Sequence, residues 1–241
     1  MNLNKAARQA GAIYLSLAIF GPFALIYVPN KLVVRGDAAA TANNVVSHEM
    51  LFRIAIVADL ISVVLFIFAG MALYRLLHSV NRLWALLMLG LVLVSAAVGF
   101  LNVLNYVAAL NLFTGADFLS AIDKPQRDAL GMLFMRLKSQ GNFINEMFWG
   151  LWLWPFGLLV YRSGFLPRFI GVWLILNCAA YVILSMIALL FPAAYGTAFL
   201  VAQPLLFGEL AIILWLLIKG AKVRPGAGIA NPLATPLGEA A

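Results

Sequence analysis

Cysteine, histidine and charge are all scarce in this chain of 241 residues. The single cysteine, Cys178, excludes an intrachain disulfide. The two histidines, His48 and His78, fall at opposite ends of the apolar segments described below. This placement excludes a three-histidine zinc site and a bis-histidine haem site. We therefore predict no cofactor and no metal centre, and we assign no residue a catalytic role.

Charged residues make up only 10% of the chain, whereas hydrophobic residues make up 64%. A soluble domain carries about 25% charged residues, because its surface must face water. Lipid must therefore cover most of this protein, which makes membrane lipids its first predicted partner. The net charge of +7 would suggest nucleic-acid binding in a soluble protein. Here basic residues at the inner membrane surface explain the charge, so no nucleic-acid partner is predicted.

Six apolar segments are long enough to cross a bilayer, which takes about 20 helical residues. They predict helices over residues 10–29, 50–77, 83–113, 142–161, 169–190 and 200–218. The first segment exceeds the apolar core of a signal peptide, about 7–15 residues, so an uncleaved helix is favoured. The predicted fold is all-α, a polytopic membrane protein with a six-transmembrane-helix bundle as its single domain over residues 1–222. Proline and glycine in residues 223–241 predict a disordered cytoplasmic tail.

A further helix is predicted between the third and fourth spans, over residues 125–138. Leu130, Leu133, Phe134 and Leu137 have the i, i+3, i+4, i+7 spacing of one helix face, and charged residues lie nearby. This pattern predicts an amphipathic helix at the outer membrane interface. Residues 30–47, between the first two spans, are interpreted as a polar loop.

The orientation follows from the charges that flank the spans. One side of the membrane holds only basic residues, apart from Glu239 in the tail: Lys5, Arg8, Arg75, Arg82, Arg162, Arg168, Lys219, Lys222 and Arg224. The other side mixes both signs: Lys31, Arg35, Lys124, Arg127, Arg136, Lys138, Asp37, Glu49, Asp117, Asp123 and Asp128. Because cytoplasmic loops are enriched in Lys and Arg, both termini are predicted to be cytoplasmic. The predicted location is the bacterial cytoplasmic (inner) membrane.

Ionisable residues inside the spans need a reason, because each costs about 2.5–3.5 kcal/mol on insertion scales. Asp59, Glu146 and Glu209 lie on the second, fourth and sixth spans, and Arg53 is taken as the only cation in any span. We predict one outward-facing polar cavity, lined by Glu49, Arg53, Asp59, Asn102, Asn105, Asn145, Glu146, Gln203 and Glu209. The alternative is that these groups form interhelical hydrogen bonds, each of which stabilises a membrane protein by about 0.6 kcal/mol.

One arginine cannot neutralise three carboxylates. Glu49 and Arg53 have the i, i+4 spacing of a helical ion pair, which reduces the positive charge left for the buried acids. Desolvation then favours a neutral carboxylic acid or a bound cation at the remaining acids. Asp59 and Glu209, placed at matched depth, are expected to share a proton or to bind a cation between them.

Three segments of the chain carry a family resemblance: Phe52-Arg53 with Ala58-Asp59-Leu60, then Tyr161-Arg162-Ser163-Gly164-Phe165-Leu166-Pro167-Arg168-Phe169-Ile170-Gly171-Val172, and finally Gly208-Glu209-Leu210 with Trp215-Leu216-Leu217-Ile218-Lys219-Gly220. They resemble an uncharacterised bacterial membrane family, domain of unknown function 4386. The resemblance covers most of residues 5–222. It implies a six-helix bacterial membrane protein and supplies no activity. The polar stripe over residues 142–149 departs from the family pattern.

Three functions are compatible with these features. The favoured one is binding or transport of a small solute or cation through the polar cavity. An accessory protein that binds another membrane protein is the main alternative. A lipid-acting enzyme could use Asp59 and Glu209 as an acid–base pair. No nucleophile elbow, histidine cluster or phosphate-binding loop supports an enzyme, so a non-enzyme is favoured.

Overall fold

The computed structural model describes residues 2–221, and the predicted tail over 223–241 lies outside them. Six helical spans within this part are long and apolar enough to cross a membrane, so the predicted all-α polytopic bundle is confirmed. The α-helices are α1 (Leu3–Pro22), α2 (Val28–Leu32), α3 (Ala38–Ser47), α4 (Glu49–Leu77), α5 (Arg82–Thr114), α6 (Lys124–Leu151), α7 (Leu153–Arg162), α8 (Arg168–Leu190) and α9 (Tyr195–Ile218). A π-helical turn over Phe23–Tyr27 joins α1 to α2.

The six spans pack side by side in a ring. In order, the neighbours are α1 with α4, α4 with α5, α5 with α6, α6 and α7 with α8, α8 with α9, and α9 with α1. The contact between the first and last spans is close, because a Cβ on Gly11 would lie 2.9 Å from Cβ of Leu216. Short connections make most neighbours antiparallel. The start of α1 and the end of α9 therefore lie at the same end of the bundle.

The two ends of the bundle differ in charge. We call the end that holds both described termini the basic end. None of the acidic residues within 2–221 lies there. Its basic residues are Lys5, Arg8, Arg75, Arg82, Arg162, Arg168 and Lys219. The opposite end, the mixed end, includes α3, the α5–α6 connection and the start of α9. Its acidic residues include Asp37, Glu49 and Asp123.

An aromatic core fills the middle of the bundle around the break between α6 and α7. Pro155 has no N–H to donate to the carbonyl one turn earlier, which explains why the helix is interrupted there. Trp152, at the break, is 1% exposed. Its ring centroid lies 5.8 Å from that of Tyr14, 5.3 Å from that of Phe66 and 5.3 Å from that of Phe156. The predicted span over residues 142–161 is therefore two helical pieces that meet inside the bundle.

The predicted polar loop over residues 30–47 is wrong except for residues 33–37, because its start belongs to α2 and its second half forms α3. The carboxylate of Asp37 accepts a hydrogen bond of 2.8 Å from the Ala40 N–H and so caps the helix. Ala42 and Val45 are buried against α4, α5 and α6 in a second core cluster at the mixed end. The segment therefore closes that end of the bundle.

Residues 125–138 are helical as predicted, but they continue without a break into the fourth span as α6. Asp123 caps this helix by accepting a hydrogen bond of 2.8 Å from the Gln126 N–H. The apolar stripe of Leu130, Leu133 and Leu137 is exposed on the outside of the bundle. The face directed inward carries Asp128, Gly131, Met135 and Lys138 instead. In its first half, α6 thus buries two charged residues and presents leucine outward.

Candidate functional site

An ion pair between α4 and α6 has both of its partners buried in the bundle. Lys138 Nζ lies 2.7 Å from Asp59 Oδ2, and the two side chains are 3% and 8% exposed. The ammonium also donates to Asn142 Oδ1 at 3.1 Å. It lies 5.2 Å from the ring centroid of Tyr106, within cation–π range. Asp59 and Lys138 therefore neutralise one another where three spans meet.

Asparagines extend this pair onto α5. The Asn102 amide donates to the carbonyl oxygen of Lys138 at 3.0 Å and to Asn142 Oδ1 at 2.9 Å. The Asn105 amide in turn donates to Asn102 Oδ1 at 3.0 Å. We call Asp59, Asn102, Asn105, Lys138 and Asn142 the ion-pair cluster. It brings together three of the predicted cavity residues and two that the prediction did not include.

The structure corrects the prediction about cations inside the spans and confirms the predicted pair of Glu49 with Arg53. Arg53 is not the only cation in a span, because Lys138 is buried within α6. The prediction failed because residue 138 was assigned to a helix outside the membrane. Arg53 pairs with Glu49 through Nε and Oε1 at 2.7 Å, and both side chains are exposed. This pair lies at the mixed end, and Arg53 does not neutralise Asp59.

Asn145 and Gln203 also stand outside the ion-pair cluster. Asn145 Oδ1 accepts from the Ser95 hydroxyl at 2.9 Å, and its amide donates to the Ser95 carbonyl at 3.2 Å. This two-way contact joins α5 to α6. Gln203 is partly exposed beside Pro204 in α9 and makes no side-chain hydrogen bond within residues 2–221.

Glu209 belongs to a different part of the interior. Its Oε2 accepts a hydrogen bond from the Tyr14 hydroxyl of α1. The Asn177 amide donates to the carbonyl of Leu206 at 3.3 Å. Because α1 packs between α4 and α9, Glu209 and the ion-pair cluster lie on different sides of α1.

Asp59 and Glu209 also lie at different distances from the mixed end. Asp59 is about 15 Å along α4 from its first residue, and Glu209 is about 21 Å along α9. The expectation of matched depth assumed that the last span begins at residue 200, whereas it begins at Tyr195. With separate partners and unequal depth, the two acids do not form the expected pair.

Glu146 is 6% exposed and takes its hydrogen bond from another tyrosine. The Tyr195 hydroxyl donates to Glu146 Oε1 at 2.6 Å. The second oxygen, Oε2, is buried without a hydrogen-bond partner among the described residues. Apart from the ion-pair cluster, the polar interior thus contains two glutamates that each accept a hydrogen bond from a tyrosine.

Two surface grooves lie along the first span, away from these groups. One is lined by Pro22, Phe23, Ile26, Tyr27, Asn30 and Lys31. The other is lined by Asn2, Asn4, Lys5, Arg8, Gln9 and Ala12. Neither groove includes a predicted cavity residue.

Comparison with known proteins places the whole bundle in one family. The family described as Domain of unknown function (DUF4386) matches residues 9–220. The chain belongs to this family. The match includes the ion-pair cluster and both glutamates, so Asp59, Lys138, Glu146 and Glu209 all lie within the DUF4386 domain. The identity of the family agrees with the resemblance carried by its three sequence segments.

One relative of this DUF4386 protein comes from Archaeoglobus fulgidus and is described as an uncharacterized protein. It is 30% identical over 80 residues, which cover 33% of this chain and 46% of the relative. The chain therefore matches less than half of that relative's length. No solved structure matches the chain.

Proposed function

We propose that this membrane protein binds a small solute or ion inside its bundle and transports it across the membrane. The observation that carries the proposal is the buried Asp59–Lys138 ion pair at the junction of α4, α5 and α6. Neutral amides could hold these helices together without the cost of burying two charges, and apolar residues often stabilise as well as a buried pair. Ionisable residues inside spans typically mark substrate or ion paths.

The remaining charge in the interior supports the same proposal. Lys138 neutralises Asp59, whereas the hydrogen-bond partners of Glu146 and Glu209 are the hydroxyls of Tyr195 and Tyr14. Two carboxyl groups in a low-dielectric interior favour either a proton or a cationic solute as a partner.

Interruptions in three spans are also typical of transporters. The first span contains the π-helical turn at Phe23–Tyr27, the fourth is broken between α6 and α7, and the sixth contains Pro204. Each interruption frees backbone carbonyls or allows a helix to bend. A path that opens alternately to the two sides needs such points.

The charge at the two ends suggests the direction of this path. The basic end would face the cytoplasm by the positive-inside tendency, with both termini there. The mixed end would then face outward. The ion-pair cluster lies closer to this end than to the basic end. This orientation corresponds to the cytoplasmic (inner) membrane of a bacterium.

A flux measurement tests the proposal. The purified protein is reconstituted in proteoliposomes, and currents or uptake are recorded for a panel of amines, amino acids, sugars and inorganic cations. We expect a saturable flux for one chemical class, lost in Asp59→Asn and kept in Glu49→Gln. The control removes an acid of the same span that is exposed and paired with Arg53.

Two results would contradict transport by this route. One is the absence of flux for every class with folded protein in both orientations. The other is undiminished flux in Asp59→Asn, which would separate the ion pair from the solute path.

A further inference from the structure

The start of α1 carries one of the two surface grooves, and this groove lies at the basic end. We call it the α1 groove, and its lining residues are Asn2, Asn4, Lys5, Arg8, Gln9 and Ala12. The side chains of Lys5 and Arg8 are exposed, and neither makes a hydrogen bond or an ion pair within residues 2–221. No acidic residue lines the groove. It therefore presents two positive charges that no described side chain neutralises.

The helix itself adds to the positive potential of the α1 groove. Because α1 begins at Leu3, its unpaired backbone N–H groups and the positive end of its dipole lie here, and its first turn contains no acid. Asn2 Oδ1 accepts hydrogen bonds from the backbone N–H groups of Asn4 at 3.0 Å and Lys5 at 3.4 Å. The amide nitrogen of Asn2 remains as a donor. Charge and donors together suit an oxyanion.

The end of α9 brings a third basic residue to the same place. The side chain of Asn4 occupies the space where a Cβ on Gly220 would lie, so the chain after α9 contacts the start of α1. Lys219 immediately precedes this contact and is exposed. It adds positive charge beside the groove from a second span.

Towards the middle of the bundle, the same face of α1 becomes apolar. Lys5, Arg8, Ala12 and Ile19 have the i, i+3, i+7, i+14 spacing of one helix face, and Ile19 is 62% exposed. At 1.5 Å per residue, the distance along the helix from Lys5 to Ile19 is about 21 Å. This is half of a bilayer of about 40–45 Å with its headgroups. The face thus has a cationic end and an apolar length that match one phospholipid in one leaflet.

We propose that the α1 groove binds the headgroup of an anionic phospholipid. Lys5 and Arg8 pair with the phosphate oxygens, and Arg8 can donate two parallel N–H groups to them. The acyl chains lie along α1 towards Ile19. This apolar continuation distinguishes a phospholipid from free phosphate, which would leave it unused. The proposal concerns a surface outside the polar interior and does not depend on transport.

The test measures phospholipid binding to the purified full chain in an uncharged detergent by native mass spectrometry. Dioleoyl phosphatidylglycerol is the anionic probe, and dioleoyl phosphatidylcholine is the control without net charge. We expect one molecule of phosphatidylglycerol to bind at least tenfold more tightly than phosphatidylcholine. Two basic residues near an anionic lipid surface together strengthen binding by about thirtyfold. The double variant Lys5→Gln/Arg8→Gln should therefore lose at least tenfold in affinity for phosphatidylglycerol.

The matched control is the double variant Arg82→Gln/Arg162→Gln. It also removes two exposed basic residues from the basic end, but from α5 and α7. Its affinity for phosphatidylglycerol should stay within twofold of that of the unaltered chain. Equal losses in the two double variants, or no loss in Lys5→Gln/Arg8→Gln, would overturn the proposal. Competition by glycerol phosphate, which has no acyl chains, would indicate a site for a free phosphate and would also overturn it.

A second measurement on the unaltered chain covers variants that fail to fold. The chain is placed in nanodiscs that contain phosphatidylglycerol with a photoreactive diazirine in one acyl chain, and the labelled peptides are identified by mass spectrometry. We expect label to concentrate on residues 12–20 of α1. Unlabelled phosphatidylglycerol should displace it, and phosphatidylcholine should not. Equal labelling of the exposed faces of α1 and α5 would show that no phospholipid is held at the groove.

Discussion

Breaking the Asp59–Lys138 pair from one side should cost far more stability than removing both partners. In Lys138→Met the carboxylate of Asp59 would lose its cation while it remains buried on α4. In Asp59→Leu the ammonium would keep only the Asn142 oxygen and the ring of Tyr106. The double variant leaves no buried charge at this point, so its loss should be smaller than either single loss.

The burial of the two side chains sets the magnitude. At 3% and 8% exposure, water screens neither charge, and removal of one partner of such a pair costs about 3–5 kcal/mol. Replacement of both by apolar residues is often neutral. The exposed Arg53–Glu49 pair is the internal control, since its side chains are 54% and 40% exposed. Its removal should cost about 0–1 kcal/mol.

Unfolding of the purified variants in mixed micelles by titration with sodium dodecyl sulfate, followed by circular dichroism, measures these differences. We expect strong non-additivity in the cycle of Asp59→Leu and Lys138→Met. We expect near-additivity in the cycle of Glu49→Gln and Arg53→Met. Additive losses below about 1 kcal/mol for the buried pair would show that water reaches it, and the reasoning above would be refuted.

Three further predictions concern topology and packing. Alkaline phosphatase fused after residue 221 should be inactive, since the basic end is expected to be cytoplasmic, and an active fusion would contradict that orientation. Gly171→Ala should destabilise the bundle by about 1–3 kcal/mol because its Cβ would lie 2.7 Å from a backbone oxygen of the adjoining helix, whereas Gly90→Ala, with open space around the Cβ, should not lower the melting temperature. Trp152→Leu should lower the melting temperature much more than Trp154→Leu, because Trp152 is fully buried and Trp154 is exposed; equal shifts would argue against the central aromatic core.

The six spans could be predicted because lipid demands long apolar helices. The predicted span over residues 169–190 differs from α8 by one residue, and that over 50–77 differs from α4 by one residue. Helix α3 was missed, although Asp37 before a run of alanines is an N-terminal capping signal. The short polar segment was interpreted as a loop because its apolar residues are too few to reveal a core position.

The interior was harder to predict because one apolar stripe has two interpretations. Leu130, Leu133 and Leu137 match an interfacial helix, but they equally match the lipid-facing side of a span with polar residues inside. A second stripe, of Lys138, Asn142 and Asn145, contained the signal, since these residues have the i, i+4, i+7 spacing of one helix face. Which acid meets Lys138 depends on neighbouring spans, and no pattern within one helix specifies it.

The inward polar face of α6 has a consequence for how the chain enters the membrane. Its span is the least apolar of the six, so it is the one that would partition most weakly into lipid by itself. Its partners come earlier in the chain, and they are already synthesised when it emerges from the ribosome: Asp59 on α4 and Asn102 on α5. We therefore expect α4 and α5, which enter the membrane first, to assist the insertion of α6. The order of segments, as well as their composition, determines whether Lys138 reaches its place in the bilayer.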